Sequence, residues 1–540
     1  MTATPRLLDV FAGLTAADPD AVVLYDAHAG QAPARPVTRR QLRDLAAGMA
    51  EDLRAHGVGT GDCVAVWLPN WSHTVAVQFA ALAVGAHVIG INTRYNVDEV
   101  AHVLRMARPR AVVAAHGFLN LDLRAILHAA HEAAATAAPV CLVTTAPGTP
   151  GAAPEEVASY DVGGGASAFP RASGGGELRP CPEPGLATAF TTSGSTGHPK
   201  LAAHRELGLG EHLLAAAGRI GLGPGHVVLG ALPLSGVFGF VAAMAAVVSG
   251  AAVVLEPVFD AGGVLTDVVR HRVTHVIGAD DLIGRLERAW RDHPVPLPWQ
   301  WIGIADFEGR SRQLAEWAER EFGTTVAGVY GSSELFALTA FWPRHYAPEL
   351  RWTGGGQVVT DSIEVRVADP ATEEVVPDGA EGEMQFRGPN VVDAYLGDPA
   401  VAGEVFTRDG WFRSGDLGRL VAPGTVQYLC RIGDVLRLRG FLVDPSEIEA
   451  RLAAHPGVAM TKVVGVPGRG GGTIAVAFVV PYGPTPPAED ELRQWCAQTL
   501  AKFKVPSRIR LIDEMPTTSG TNGTKIRAAA LRELALAEGI

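Results

Sequence analysis

The sequence predicts an α/β protein in more than one domain, and three observations carry that prediction. Short apolar runs rich in Val, Ile and Ala alternate with stretches of helical character, which is the grammar of βαβ units. A chain of 540 residues exceeds what one hydrophobic core ordinarily supports. After about Gly354 the pattern shortens to strands and turns ("SIEVRVADP", "GEMQFRGP", "TVQYLC"), so a small β-rich subdomain is expected there, with a compact α+β unit from about Arg431 to the end.

Taken in order, "GDCVAVWLPN" and "HTVAVQFAALAVGAHVIGIN" read as strand, helix and strand. "RPRAVVAAH", "APVCLVTT" and "VTHVIGA" add buried strands, and "VDEVAHVLRMA" a helix. The stretch from Thr145 to Gly185 is rich in Gly, Pro, Ala and Ser and reads as an exposed connector. The segment from Val227 to Leu255 has no charge and is long enough to span a bilayer. Pro233, Ser235 and repeated glycines divide it into strand, turn, helix and strand, so no stable membrane insertion is expected.

A net charge of -12 speaks against a nucleic-acid partner, because neutralising phosphates takes a basic stripe. Cys63, Cys141, Cys181, Cys430 and Cys496 are odd in number and scattered, which suggests buried thiols rather than a disulfide framework or a zinc site. The opening "MTATPRLLDVFAGL" is too weakly apolar for a secretory signal, and a cytoplasmic protein is expected.

Only five of the 45 basic residues are lysine, at positions 200, 462, 502, 504 and 525. Lys200 closes "TTSGSTGHPK", a loop in which glycine-freed backbone N–H groups, hydroxyls and a positive charge can converge on phosphate. His198 and Pro199 separate the last glycine from the lysine, so the pattern is not the Walker loop. Alone, a polar surface turn accounts for it equally well.

The loop does not stand alone, because "YGSSE", "GWFRSGDLG" and "RIGDVLRLRGFLVDPSEIE" occur further along the chain. Together with them it resembles the phosphate-binding signature of the adenylate-forming (AMP-binding) superfamily, which contains acyl-CoA synthetases, luciferases and peptide-synthetase adenylation domains. The resemblance runs from about Gly57 to Arg527, with the motifs in family order. It implies that Thr192, Ser193, Gly194, Ser195, Thr196, Gly197 and Lys200 bind phosphate. "YGSSE" resembles the family's YGxTE and implies Tyr330 at the adenine, Ser333 at the α-phosphate or carboxylate, and Glu334 on Mg²⁺. "GWFRSGDLG" matches the ribose-binding segment, with Asp416 accepting from the diol. "RIGDVLRLRGFLVDPSEIE" resembles the interdomain hinge, with Arg431 reaching the nucleotide, Gly433 at the hinge position and Gly440 on the path of a pantetheine thiol. Lys525 in "TTSGTNGTKIR" resembles the C-terminal lysine at the reacting carboxylate and α-phosphate.

The fold implied is a large N-terminal domain of two α/β lobes plus the β-rich subdomain, residues 1–430, followed by a mobile α+β domain, residues 431–540. The function implied is an ATP-dependent acyl-CoA ligase using ATP/AMP, Mg²⁺ and coenzyme A. A carboxylate becomes an acyl-adenylate, and the small domain rotates to admit the thiol. Three alternatives stand beside it: a ligase specialised in the thiol step and fed acyl-AMP by a separate adenylating enzyme, loading of a separate carrier protein, and an adenylate-binding protein without catalysis.

Several positions depart from the family pattern. Gly236 in "LPLSGVFGF" stands where an aromatic residue or histidine is common, beside Val237 and Phe238, and implies a wide pocket for a bulky, mainly apolar acid. "ADFEG" puts Asp306 and Phe307 at small positions of the adenine wall. "GADD" puts Asp280 and Asp281 near the implied acyl pocket, where they could read a polar substituent, but surface carboxylates at a helix start are the commoner explanation. Gly433 replaces the usual Asp or Lys, and "SGTNGTK" lengthens the family's "SGK" before Lys525.

Overall fold

The computed structural model describes residues 5–28, 30, 32–170, 177–192, 199–307, 309–432, 436–438, 441–443, 445–468, 473–483, 485–500, 502, 504–520 and 523–538. Thirteen of the described strands form one continuous sheet. Its parallel part runs Thr325–Ser332, Trp301–Ala305, His275–Ala279, Val227–Gly230, Ala252–Leu255 and Val22–Asp26, and Arg35–Thr38 closes that edge antiparallel. These strands are apolar without alternation because helices cover both faces. Beyond Thr325–Ser332 the order turns antiparallel through Phe336–Phe341, Gly355–Val358, Thr425–Arg431, Phe412–Ala422, Glu381–Arg387 and Glu364–Ala368. The β-rich subdomain is therefore an extension of the parallel sheet, joined to it at Thr325–Ser332.

The second lobe is an eight-stranded sheet with a parallel centre of Leu186–Thr191, His87–Gly90, Cys63–Trp67, Ala111–Ala115 and Val140–Thr144. Ala166–Ala168 pairs with Val140–Thr144, and Pro154–Ala158 is helical. The expected connector thus supplies an edge strand and a short helix, since strand pairing needs backbone donors and acceptors but few large side chains.

The helices Ser72–Val84 and Val237–Ser249 lie almost wholly buried between the lobes. Asn70 ties the seam. Its amide donates to the carbonyls of Gly230 and Leu232 at 2.9 and 2.8 Å and accepts from the Leu234 N–H at 2.9 Å. The uncharged stretch from Val227 to Leu255 is strand, turn, helix and strand as expected, and no described helix is long and apolar enough to cross a membrane.

Residues beyond Leu436 build two cores of their own. Leu436, Ile448 and Leu492 belong to one, and Phe478, Met515 and Leu531 to the other. A five-stranded sheet separates them, with Pro445–Ala453 and Glu489–Ala497 packing into the first core and Ala528–Ala537 into the second. Of the five cysteines, none is disulfide-bonded and four are buried, whereas Cys181 is partly exposed.

Gly356 has φ +116, and a Cβ there would overlap the Phe341 carbonyl carbon across the antiparallel pairing. Gly13, in the helix Leu7–Ala17, has nothing within 4 Å of a Cβ position. Gly356→Ala is expected to lower unfolding free energy by at least ~2 kcal/mol, and Gly13→Ala to raise it by up to ~1 kcal/mol, read by denaturant titration.

Candidate active site

The site forms where the parallel strands end, the usual place for ligands in open α/β sheets. The strand Leu186–Thr191 delivers Thr192, whose N–H donates to the Lys200 carbonyl at 2.8 Å and closes the base of the loop. Ser193, Gly194, Ser195, Thr196 and Gly197 lie outside the described residues. The Lys200 ammonium sits 5.8 Å from the centre of the Tyr395 ring. Burial and the nearby Glu334 charge both push the Tyr395 phenol up.

The strand Thr325–Ser332 delivers Tyr330, which is buried and stacked on Phe386 with ring centres 5.6 Å apart. Its hydroxyl donates to Asp416 at 2.7 Å. Asp416 and Arg431 are register partners in the hairpin of Phe412–Ala422 and Thr425–Arg431, and the Arg431 guanidinium meets the other carboxylate oxygen at 3.1 Å. That guanidinium also donates to the Ser414 carbonyl at 2.8 Å. Burial raises the Tyr330 phenol far above its ordinary range and the Asp416 charge adds to this, so the hydroxyl stays a donor. Asp416 holds the Arg431 guanidinium above its usual value.

Ser333 is buried and donates to the Thr191 carbonyl at 3.3 Å, joining the two lobes at the mouth of the site. Glu334 is half-buried, and its carboxylate takes no hydrogen bond or ion pair from any described residue. Gly236 precedes the helix Val237–Ser249, and Val237 and Phe238 are buried in its first turn. Gly433 and Gly440 lie outside the described residues. Lys525 lies on the strand Gly523–Ile526, paired with Thr518 in a two-stranded hairpin, and that strand packs against the helix Asp280–Asp292. The Lys525 side chain lies outside the described residues.

Several contributors carry no clear sequence signal. Tyr95 hydrogen-bonds Thr191 at 2.9 Å. Glu383, buried in the strand Glu381–Arg387, accepts from the Gly415 N–H at 3.1 Å and from Arg413 at 3.2 Å, bracing the turn before Asp416. A charged residue amid "GEMQF" was the one available hint.

Asp280 corrects an expectation. It does begin a helix, but it is fully buried rather than at the surface. Its carboxyl accepts from the Phe307 and Arg310 N–H groups, each at 3.0 Å, and hydrogen-bonds to the Asp306 carboxyl. The segment after Trp301–Ala305 is thereby fixed beside Tyr330, since Ile304 is paired with Gly328 on the next strand.

Residues 13–396 match the model of the AMP-binding enzymes, and residues 447–521 match that of the AMP-binding enzyme C-terminal domain. The chain belongs to the AMP-binding enzyme family. It is 31% identical over 491 residues to a feruloyl-CoA synthase of Amycolatopsis, covering 89% of this chain and 91% of that protein. It is 29% identical over 489 residues to the 3-[(3aS,4S,7aS)-7a-methyl-1,5-dioxo-octahydro-1H-inden-4-yl]propanoyl:CoA ligase of Rhodococcus jostii, with the same coverage. The ATP-bound crystal structure of MatB from Rhodopseudomonas palustris superposes with a TM-score of 0.80 at 25% identity, covering 98% of both chains. This AMP-binding enzyme is an ATP-dependent acid–thiol ligase of the acyl-CoA ligase family.

Burial, with the Asp306 charge beside it, raises the Asp280 carboxyl well above the usual carboxylate range. The folded state therefore holds a proton that the unfolded state releases, and stability falls as pH rises from the ordinary carboxylate range through the raised value. Asp280→Asn keeps the shape without the titration. The expected outcome is a melting temperature that declines more steeply between acid and alkaline pH in the wild type than in Asp280→Asn, checked by thermal unfolding across that range.

Proposed function

We propose that this AMP-binding enzyme converts a bulky, mainly apolar carboxylic acid to its CoA thioester through an acyl-adenylate. The observation that carries the nucleotide assignment is the network of Tyr330, Asp416 and Arg431 at the carboxyl end of the strands, with Ser333 and Glu334 one turn away. In this reading the second Asp416 contact opens to the ribose diol, Arg431 reaches the nucleotide, and residues from 431 onward move as the domain that brings Lys525 to the reacting carboxylate. Residues 1–430 then form the adenylate- and acyl-binding domain.

The donor set fits Mg²⁺. Among the described residues no group of three His, Cys, Asp or Glu side chains could hold a metal, whereas Glu334 offers one uncommitted carboxylate. One carboxylate suffices where substrate phosphates and water complete the shell of this ion. Bound there, it would offset phosphate charge during in-line displacement. Ser333 would orient the carboxylate or α-phosphate, and Lys200 with the loop from Thr192 would hold the leaving pyrophosphate.

Gly236 at the head of the buried helix, followed by Val237 and Phe238, supports an apolar acyl group. The names of the two relatives, both ligases of acids that carry rings, agree with this. The strand bearing Lys525 packs against the helix Asp280–Asp292, which supports the ordinary two-step reaction over a ligase fed by a separate adenylating enzyme.

Glu334→Gln is expected to raise the Mg²⁺ requirement at least about tenfold, measured as AMP release with acid, ATP and CoA. A normal Mg²⁺ response would remove Glu334 from the site. Across a panel of acids scored by thioester formation, aromatic and polycyclic acids are expected to exceed acetate and free α-amino acids. Preference for either of the latter would refute the apolar pocket.

A further inference from the structure

The turn that presents Ser333 and Glu334 is held in an unfavourable backbone conformation. Phe336 and Leu338 both have positive φ, 64° and 61°, in a region that bulky side chains rarely adopt. Such strain persists only where the surroundings over-determine it. Thr339 caps the turn by donating to the Leu335 and Phe336 carbonyls at 2.8 and 2.7 Å, and Asn390 donates to Leu335 at 2.9 Å.

Two histidines complete the hold. His204, from the strand Leu201–Arg205, is 2.8 Å from the Ser333 carbonyl through Nε2. His212, from the helix Glu206–Ile220, is 2.8 Å from the Ala337 carbonyl through Nε2. A carbonyl only accepts, so each Nε2 carries the proton and each Nδ1 stays unprotonated. Both Nδ1 atoms are buried and take no partner among the described residues. The two rings lie nearly parallel to that of Phe336, with centres 4.0 and 4.9 Å away. Each side chain is only 1% exposed, and burial pushes each imidazole down to about 4. They are neutral donors throughout the working range.

We propose that His204 and His212 are positioning residues for the Ser333–Glu334 turn, fixing through the Ser333 and Ala337 carbonyls the placement of the carboxylate that takes the metal. The inference rests on the reading of Glu334 as the Mg²⁺ carboxylate. Neither histidine reaches the reacting atoms. A filler of the core would leave metal affinity alone, whereas a positioning donor changes it selectively.

The test compares His204→Leu, His204→Gln, His212→Leu and Glu334→Gln in the full-length enzyme. The readouts are the Mg²⁺ concentration for half-maximal thioester formation, KM for CoA and melting temperature. His204→Leu is expected to raise the Mg²⁺ requirement about tenfold, equivalent to ~1.4 kcal/mol, with KM for CoA within about twofold of wild type. His204→Gln, whose amide can donate to Ser333, is expected to return to within about threefold. An unchanged Mg²⁺ requirement in His204→Leu overturns the inference. So does a parallel rise in both constants, or a glutamine variant no better than leucine. Should His204→Leu not fold, His212→Leu decides: a shift of about threefold supports the inference, and none overturns it. A normal Mg²⁺ response in Glu334→Gln would instead sink the metal reading, and this inference with it. A lost response there beside a normal one in His204→Leu sinks this inference alone.

Discussion

The carboxylate of Asp416 is the constraint around which the junction of the parallel sheet and its antiparallel extension is arranged. It is almost wholly buried, and its partners include the Tyr330 hydroxyl and the half-exposed Arg431 guanidinium. Burying a carboxylate costs several kcal/mol unless opposite charge and hydrogen bonds replace its water. Tyr330 comes from the parallel sheet, whereas Asp416 and Arg431 come from the antiparallel extension, so the need to satisfy one buried charge fixes the relation between them. Glu383 and Ser414 brace the backbone that leads into the carboxylate, accepting from the N–H groups of Gly415 and Asp416.

The relation between the two lobes is fixed differently, by small polar side chains in an apolar seam. Asn70 satisfies two carbonyls and one N–H of the segment that leads into the helix Val237–Ser249. Asp26 does the same at the start of the neighbouring helix, accepting from the N–H and hydroxyl of Ser72 at 2.7 and 2.8 Å. These contacts turn a non-directional hydrophobic interface into one with a single register. Because Gly236, Val237 and Phe238 follow that segment directly, their placement depends on the seam as well as on their own helix.

Strain and its containment distinguish the Glu334 side of the site. The left-handed Phe336 and Leu338 are held by donors from a neighbouring strand, a neighbouring helix and the turn itself. In the proposed reading of Glu334 as the Mg²⁺ carboxylate, so constrained a turn would meet the cation without first reorganising. The buried Asp280 does comparable work for the segment that carries Phe307, accepting from the Phe307 and Arg310 N–H groups.

The sequence by itself determined the elements and the chemistry of the motifs. Continuous apolar runs such as "AVVAA" and "HVIGA" specify strands buried on both faces, and "VDEVAHVLRMA" specifies a helix, capped by Asn96 and Glu99. The ordered motifs around Lys200, Tyr330, Asp416 and Arg431 carried the family, because those residue types at those places are rarely assembled for any other reason. What the tertiary structure alone decided are the long-range pairings: Tyr330 with Asp416, Ser333 with Thr191, His204 with Ser333 and His212 with Ala337. Each joins residues 86 to 142 positions apart in the chain. Asp280 shows the physical reason. Its local sequence is that of a solvated helix start, and only the arrival of the Phe307 and Arg310 backbone over it removes the water and makes a carboxyl–carboxylate contact the stable alternative.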